Sequence, residues 1–151
     1  FEVVKASKDI VRDLNEYTPK ATGDWNVPFK YLDKESAMMF LKCFMSADGN
    51  IGLYPRSDHF RALPLEVRFY SINRKGLGEI ATLLKEYFDI CSWLCDNSDG
   101  TFRLAVETPR DKIKYIKAIA SFKKQHVEAI KRAHEIVEEK KLDDQAGSLE
   151  R

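Results

Sequence analysis

Residues 40–51, FLKCFMSADGNI, decide how this chain folds, because one kind of element ends within them and another begins. From Asp33 onward, apolar residues recur at helical spacing and cover more than one face, which predicts a largely buried helix. Asp33 or Ser36 can cap its start. We expect Gly49 to end the helix in the left-handed conformation. The alternation of apolar and polar residues after Gly49 predicts a half-buried strand.

Outward from this stretch, the hydrophobic pattern predicts further helices and two pairs of strands. The predicted elements are strands at residues 50–56 and 65–72, a helix at 73–88 capped by Asn73, strands at 91–95 and 101–107, a helix opened by Thr108 and Pro109, and a weaker helix at 124–141. Short connections within each strand pair force antiparallel pairing. The predicted fold class is therefore α+β, with an αββαββα order, a four-stranded antiparallel sheet and helices on one face.

The chain is long enough for one domain. Its 151 residues, 44% of them hydrophobic, can bury one core but hardly two. We predict an N-terminal helix and lead-in segment at residues 1–28, the main domain at 29–141 and a flexible tail at 142–151. The N-terminal helix runs from Ser7 to about Asn15, and we expect Trp25 and Val27 to pack on the core.

The charge and cysteine content bear on the partners and the redox environment of the protein. Lysine and arginine total 25 against 24 acidic residues, so the net charge of +1 does not indicate a nucleic-acid partner, although residues 108–141 hold ten basic residues against five acids. The three cysteines form no even framework and no paired metal motif, which favours reduced thiols.

No apolar run approaches the roughly 18 residues of a membrane span. We expect a soluble intracellular protein, in cytoplasm, nucleoid or an organelle, with no membrane partner.

Residues 40–51 resemble the motif of the LAGLIDADG homing endonucleases and their maturase relatives. With the apolar helix, the strand after it and the same element order, the resemblance covers about residues 27–136. It implies two such helices packed against each other, each ending in an acidic residue that reaches a scissile phosphate. Asp48 matches that acidic residue, and the Ala47 carbonyl matches a backbone ligand for Mg²⁺ or another divalent cation. The implied activity is site-specific cleavage of double-stranded DNA, as in intron or intein homing.

The chemistry of these residue types agrees with that activity. Phosphodiester cleavage requires charge to be stabilised on the attacking and leaving oxygens, and divalent ions held by hard oxygen ligands do this. Two positions depart from the family motif: Cys43 stands where glycine is usual, and Ser46 stands where an earlier acidic residue is usual. These departures favour an alternative, a catalytically inactive nucleic-acid-binding module or an intron-RNA maturase of the same fold, whereas Asp48 favours the endonuclease.

A second group of residues predicts a DNA-binding face. Alternation along the strands places arginines and tyrosines on the side of the sheet away from the helices, and the loop between the first two strands adds another arginine. The predicted DNA-binding residues are Tyr54, Arg56, Arg61, Arg68, Tyr70 and Arg103. Each of them alone is an ordinary solvated position. The resemblance also implies a basic residue near the cleavage centre, for which Lys123 and Lys124 are the candidates.

Cleavage of both DNA strands requires two copies of the motif, and this chain contains one. The partner is a second copy of the chain or the second LAGLIDADG half of a longer protein, and the sequence favours neither strongly. A homodimer would recognise a partly palindromic site. The motif helix is apolar on more faces than one sheet can cover, so part of it is expected to meet the partner. The predicted interface residues are Ala37, Leu41, Phe44 and Met45.

Overall fold

The computed structural model describes residues 23–53 and 64–149, with only the backbone of residues 137 and 139–149. The helix predicted from Ser7 lies outside the described residues. So do three of the predicted DNA-binding residues, Tyr54, Arg56 and Arg61. No helix within the described ranges is long and apolar enough to cross a membrane.

Four helices and four strands form the described part of the fold. The helices are α1 (Lys34–Asp48), α2 (Arg74–Phe88), α3 (Pro109–Ala118) and α4 (Lys124–Leu149), and a 3-10 turn (Phe29–Tyr31) precedes α1. The strands are β1 (Gly49–Leu53), β2 (Leu65–Ser71), β3 (Trp93–Asp96) and β4 (Phe102–Val106). The sheet has the order β1-β2-β4-β3, and every pairing in it is antiparallel. The predicted α+β class and αββαββα order are confirmed, with α4 as a further helix.

The two faces of the sheet differ as a period of two predicts. On the inward face, the buried side chains are Ile51, Leu65, Val67, Phe69, Leu104 and Val106. Helices α1, α2 and α3 supply apolar side chains to the same core. Phe69 lies between two of these helices, since its ring centroid is 6.1 Å from that of Phe44 on α1 and 5.9 Å from that of Tyr115 on α3. Helix α4 packs against the edge strand β1 and buries Ala133 in the core.

Local signals in the sequence fix where the helices begin. Asp33 and Ser36, the two candidate caps of α1, act together: Ser36 N–H donates to the Asp33 carboxylate at 2.8 Å, and Asp33 N–H donates to Ser36 Oγ at 2.9 Å. Asn73 caps α2 by accepting from Gly76 N–H at 2.9 Å. Thr108 caps α3 ahead of a proline in its first turn. The predicted caps of these three helices are therefore confirmed.

Gly49 corrects one prediction. Its φ of −97° and ψ of 169° are extended backbone, so α1 does not end in a left-handed residue. Space explains the glycine instead. A Cβ at this position would lie 2.7 Å from the carbonyl oxygen of Met45 and 2.8 Å from its Cα, which is closer than such atoms approach. The absence of a side chain lets β1 begin directly after Asp48.

Helix α4 also differs from the prediction. It continues to Leu149, whereas the sequence predicted a weaker helix ending at Lys141 and a flexible tail beyond it. The reason is local: residues 142–149 contain no proline, and the single glycine at 147 weakens a helix without ending it. The predicted boundary between domain and tail therefore falls inside a helix.

The end of the lead-in segment packs on the core, as predicted for Trp25 and Val27. The ring of Trp25 lies 5.0 Å from that of Phe44, between centroids. Val27 is buried, and its N–H donates to Glu79 Oε2 at 2.6 Å. The side-chain amide of Asn73 donates to the carbonyl oxygen of Trp25 at 2.5 Å. The segment thus joins α1 and α2 rather than acting as a free linker.

The contact of Trp25 with α2 generates a stability prediction. A Cβ at Gly76 would lie 2.5–2.7 Å from three ring atoms of Trp25, whereas a Cβ at Gly78 would meet nothing within 4 Å. We expect Gly76→Ala to lower the free energy of unfolding by about 1–3 kcal/mol, because the rigid ring must move. Gly78→Ala, the matched control, should raise it by about 0.5–1 kcal/mol through helix propensity. Urea unfolding measures both, and equal shifts of the two variants would contradict this packing.

Candidate functional site

The C-terminal end of α1 carries a concentration of negative charge. Asp48 is the last residue of the helix and is exposed, and the last turn contains no basic residue. The final carbonyl groups of a helix, Ala47 among them, lack the intrahelical partners that earlier carbonyls have, and they carry the negative end of the helix dipole. The Asp48 carboxylate adds a full charge at the same place. This end of α1 therefore attracts cations.

The oxygen ligands at this end suit a cation that also binds a substrate phosphate better than a cation held by protein side chains alone. Within the described ranges, no three His, Cys, Asp or Glu side chains come together in a way that could hold a metal ion. One chain offers the Asp48 carboxylate and the Ala47 carbonyl. Mg²⁺ commonly binds through one or two carboxylates, keeping water and substrate phosphate oxygens as its other ligands. The two oxygens fit such a cation, provided that a phosphate completes the site.

Three of the four residues predicted to meet a partner have no exposed surface. Ala37, Leu41 and Met45 are fully buried in the chain's own core, and the Phe44 ring packs between Trp25 and Phe69. The sheet, α2 and the lead-in segment together surround more than one face of α1, so its wide apolar surface is used within the chain. The exposed stripe of α1 is instead formed by Met39, Cys43 and Ala47, spaced four residues apart.

A chain of hydrogen bonds links α1 to the turn between α3 and α4. Ser46 Oγ donates to the Lys42 carbonyl at 2.7 Å and accepts from Phe122 N–H at 2.9 Å. It also lies 3.0 Å from Ser121 Oγ, which in turn lies 2.9 Å from His126 Nδ1. The Lys42 ammonium adds a cation–π contact, 4.4 Å from the centroid of the Phe122 ring. The turn is thus attached to the C-terminal half of the motif helix.

Counting the hydroxyl hydrogens shows which group donates in each of these hydrogen bonds. Because Ser46 gives its one hydroxyl hydrogen to Lys42, the hydrogen between the two serines must come from Ser121. Ser121 then has none left for the ring, so His126 Nδ1 carries a hydrogen and donates it. His126 is buried, and this burial, together with the positive charge of Lys123, lowers its pKa from the ordinary value. At neutral pH the lowered pKa favours the neutral ring, with its hydrogen on Nδ1.

The same turn carries the predicted basic residues. Lys123 follows Phe122, whose backbone contacts Ser46, and the Lys123 N–H donates to Ser121 Oγ at 3.2 Å. Lys124 is almost fully exposed and lies 3.8 Å from Glu128 on its own helix. The turn therefore brings Lys123 toward the motif helix, while Lys124 is committed to a solvated ion pair. The involvement of Ser121 and His126 was not predicted, since no spacing in the sequence relates them to Ser46.

The outward face of the sheet carries Arg68, Tyr70 and Arg103, each partly buried, where alternation placed them. Tyr70 stands opposite Arg103, and Arg68 forms an ion pair with Glu66. The Nε atom of Arg103 is buried and has no hydrogen-bond partner in the described part of the chain. An acceptor from outside the chain would satisfy it. A further residue on this face, the exposed Trp93, was not among the predicted site residues.

Comparisons with known proteins found two solved structures that resemble this chain. Both are of I-DmoI, one a glycine-to-serine variant in complex with its target DNA in the presence of Mg, the other in complex with DNA and Mn. Each aligns with this chain at 17% identity and a TM-score of 0.45, over 60% of this chain and 45% of the I-DmoI chain. This chain thus matches less than half the length of I-DmoI. No protein-family model matches the sequence, and no curated protein matches it.

The lowered pKa of His126 predicts how stability depends on pH. The unfolded chain binds the proton at the ordinary value of 6.5, before the folded chain does. The free energy of unfolding should therefore be at its full value above about pH 7 and decrease as the pH falls below the unfolded pKa, by at most about 1.4 kcal/mol per pH unit for this group. His126→Asn keeps a donor for Ser121 and cannot titrate. Urea unfolding across this range should lose that part of the pH dependence in the variant, and identical curves would refute the assignment.

Proposed function

We propose that this chain is a divalent-cation-dependent endonuclease that cleaves double-stranded DNA and acts as a pair of such domains. The observation that carries the proposal is the position of Asp48. It is exposed at the cation-attracting end of α1 and directly precedes β1, the edge strand of a sheet whose outward face bears Arg68 and Arg103. A duplex lying along that face would bring phosphate groups to the end of the helix.

Each residue of the proposed site has a defined role in this reaction. The Asp48 carboxylate and the Ala47 carbonyl hold the cation. When bound, the cation stabilises charge on the attacking and leaving oxygens of the phosphodiester. Arg68 and Arg103 hold the duplex on the sheet, with Tyr70 between them contributing a further hydrogen-bonding group. Lys123 supplies positive charge from the turn that Ser46 attaches to α1. This charge stabilises the negative charge on the pentacoordinate phosphorus group of the transition state.

The pairing proposal rests on the exposed stripe of α1. One chain offers one carboxylate for two DNA strands, so a second domain must contribute the other. Met39, Cys43 and Ala47 present an uncharged surface along the helix that ends at Asp48. Packing of two such stripes would bring two Asp48 residues to a common centre. The partner is a second copy of this chain or a second domain of the same kind, and a symmetric pair recognises a partly palindromic site.

A second function is supported by Ser46. The resemblance leads one to expect an acidic residue there, whereas the serine is fully engaged by Lys42, Ser121 and Phe122. A chain that keeps the sheet surface but not the cation chemistry would be a nucleic-acid-binding module, or a maturase acting on intron RNA. Divalent-cation-dependent nicking by the wild-type protein separates the two functions.

The first experiment replaces the proposed cation ligand. Asp48→Asn should reduce cleavage of a bound duplex by at least about 100-fold, because a neutral amide holds the cation poorly, while DNA affinity stays within about threefold. Glu35→Gln removes the same charge from the other end of α1, where it is also exposed, and should cut at the wild-type rate. Full nicking activity in Asp48→Asn would refute the proposed site. A wild-type protein that binds DNA but never cuts it would favour the binding module.

A separate experiment tests pairing through the exposed stripe. Met39→Glu places a charge in the proposed interface without touching the core, so the chain should fold while its self-association weakens by about 10- to 100-fold. Tyr31→Glu changes another exposed apolar residue, ahead of α1, and should associate like the wild type. Analytical ultracentrifugation, with and without a DNA duplex, measures the self-association of both variants. Cleavage of both strands by a single isolated domain would contradict pairing.

A further inference from the structure

Trp93 occupies an unusual position on the outward face of the sheet. It is the first residue of β3, the outer strand farthest from α1, and 61% of its surface is exposed. Its register partner on β4 is Ala105, which belongs to the same face as Arg68 and Arg103. The indole therefore stands on the surface that the proposed function assigns to nucleic acid. A large exposed aromatic ring on this face offers a flat apolar surface on which the ring of a ligand can stack.

The burial of Ala105 shows how the surroundings of this ring are arranged. Ala105 faces outward, yet it is only 3% exposed. Its two register neighbours among the described residues are Arg68 on β2 and Trp93 on β3, and side chains opposite one another on adjacent strands lie about 5 Å apart. Ala105 therefore stands between two large side chains in the register. Trp93, the one on the edge strand, keeps most of its own surface exposed.

We infer that Trp93 is a stacking site for an unpaired nucleotide base. Inside a continuous duplex, both flat sides of every base are covered by neighbouring bases, and a protein in the groove meets only base edges. A bulged, flipped or single-stranded base has an uncovered flat side, and an aromatic ring can stack on it without prising base pairs apart. Arg103, with its unsatisfied Nε, and Arg68 lie on the same face and supply positive charge for the phosphates that flank such a base.

The site is separate from the proposed cleavage centre. Three strand spacings of about 4.8 Å place β3 about 14 Å from β1, the strand that follows Asp48. A base stacked on Trp93 therefore belongs to a part of the nucleic acid several nucleotides from the bond that would be cut. This inference rests on the proposed nucleic-acid-binding face, and it adds recognition of irregular structure to recognition of a regular duplex.

The test compares one duplex in two forms, fully paired and with a single extra unpaired adenine, at equal low salt. Wild-type protein should bind the bulged form about 5- to 100-fold more tightly, as expected for one stacked base. Trp93→Ala should bind both forms equally, and Trp93→Phe should keep part of the preference. Tyr31→Ala, a control, removes a similarly exposed ring ahead of α1 and should keep all of it.

Tryptophan fluorescence provides an independent readout, because the sequence contains two tryptophans and the other, Trp25, packs against Phe44 and the α2 glycine at position 76. The bulged duplex should quench wild-type emission and leave that of Trp93→Phe unchanged. The inference is overturned if wild type binds both duplexes with equal affinity, or if Trp93→Ala keeps the preference. Binding of neither duplex would overturn the nucleic-acid face of the proposed function together with this site.

Discussion

The burial of one stripe of α1 is the constraint on which the rest of the structure depends. Ala37, Leu41 and Met45 have no exposed surface, so the helix has one orientation on the sheet. Because Met45 also lies against Gly49, the chain passes from helix to strand without a connecting loop. Asp48 is therefore held at a junction between two rigid elements, and the opposite side of the helix stays open along Met39 and Cys43.

The serine within the motif has a structural consequence of its own. Ser46 joins α1, near the start of the described chain, to the turn between α3 and α4, 75 positions later in the sequence. Each hydroxyl hydrogen in this link has one acceptor. This network is buried at Ser121 and His126 and partly buried at Ser46. Buried polar networks stabilise a single arrangement when every member is satisfied, and they are costly when one is removed. The link to Ser121 and His126 keeps the backbone of Lys123 near the motif helix. A departure from the family motif thus coincides with a fixed position for the turn.

Local features of the fold were predictable from the sequence, and the packing of α1 was not. Helix starts at Asp33, Asn73 and Thr108 depend on side chains a few residues apart, and alternation within a strand depends on its own residues. Which apolar side of α1 faces the core depends on the sheet, α2 and the lead-in segment together, so the sequence did not show that three of the four predicted interface residues would be buried. The bond between Ser46 and Ser121 spans 75 positions, and no periodicity reports a contact of that kind.

The most direct test of the cation site at Asp48 is to locate the cation in a complex with DNA. A duplex selected from a random pool by the wild-type protein would be crystallised with it in Mn²⁺, and the ion located by its anomalous scattering. If Asp48 is the cation ligand, Mn²⁺ lies within about 2.0–2.3 Å of an Asp48 carboxylate oxygen and is bound to a phosphate oxygen of the duplex. DNA lying on the outward face of the sheet with Mn²⁺ bound elsewhere, and Asp48 in contact with water alone, would contradict this assignment.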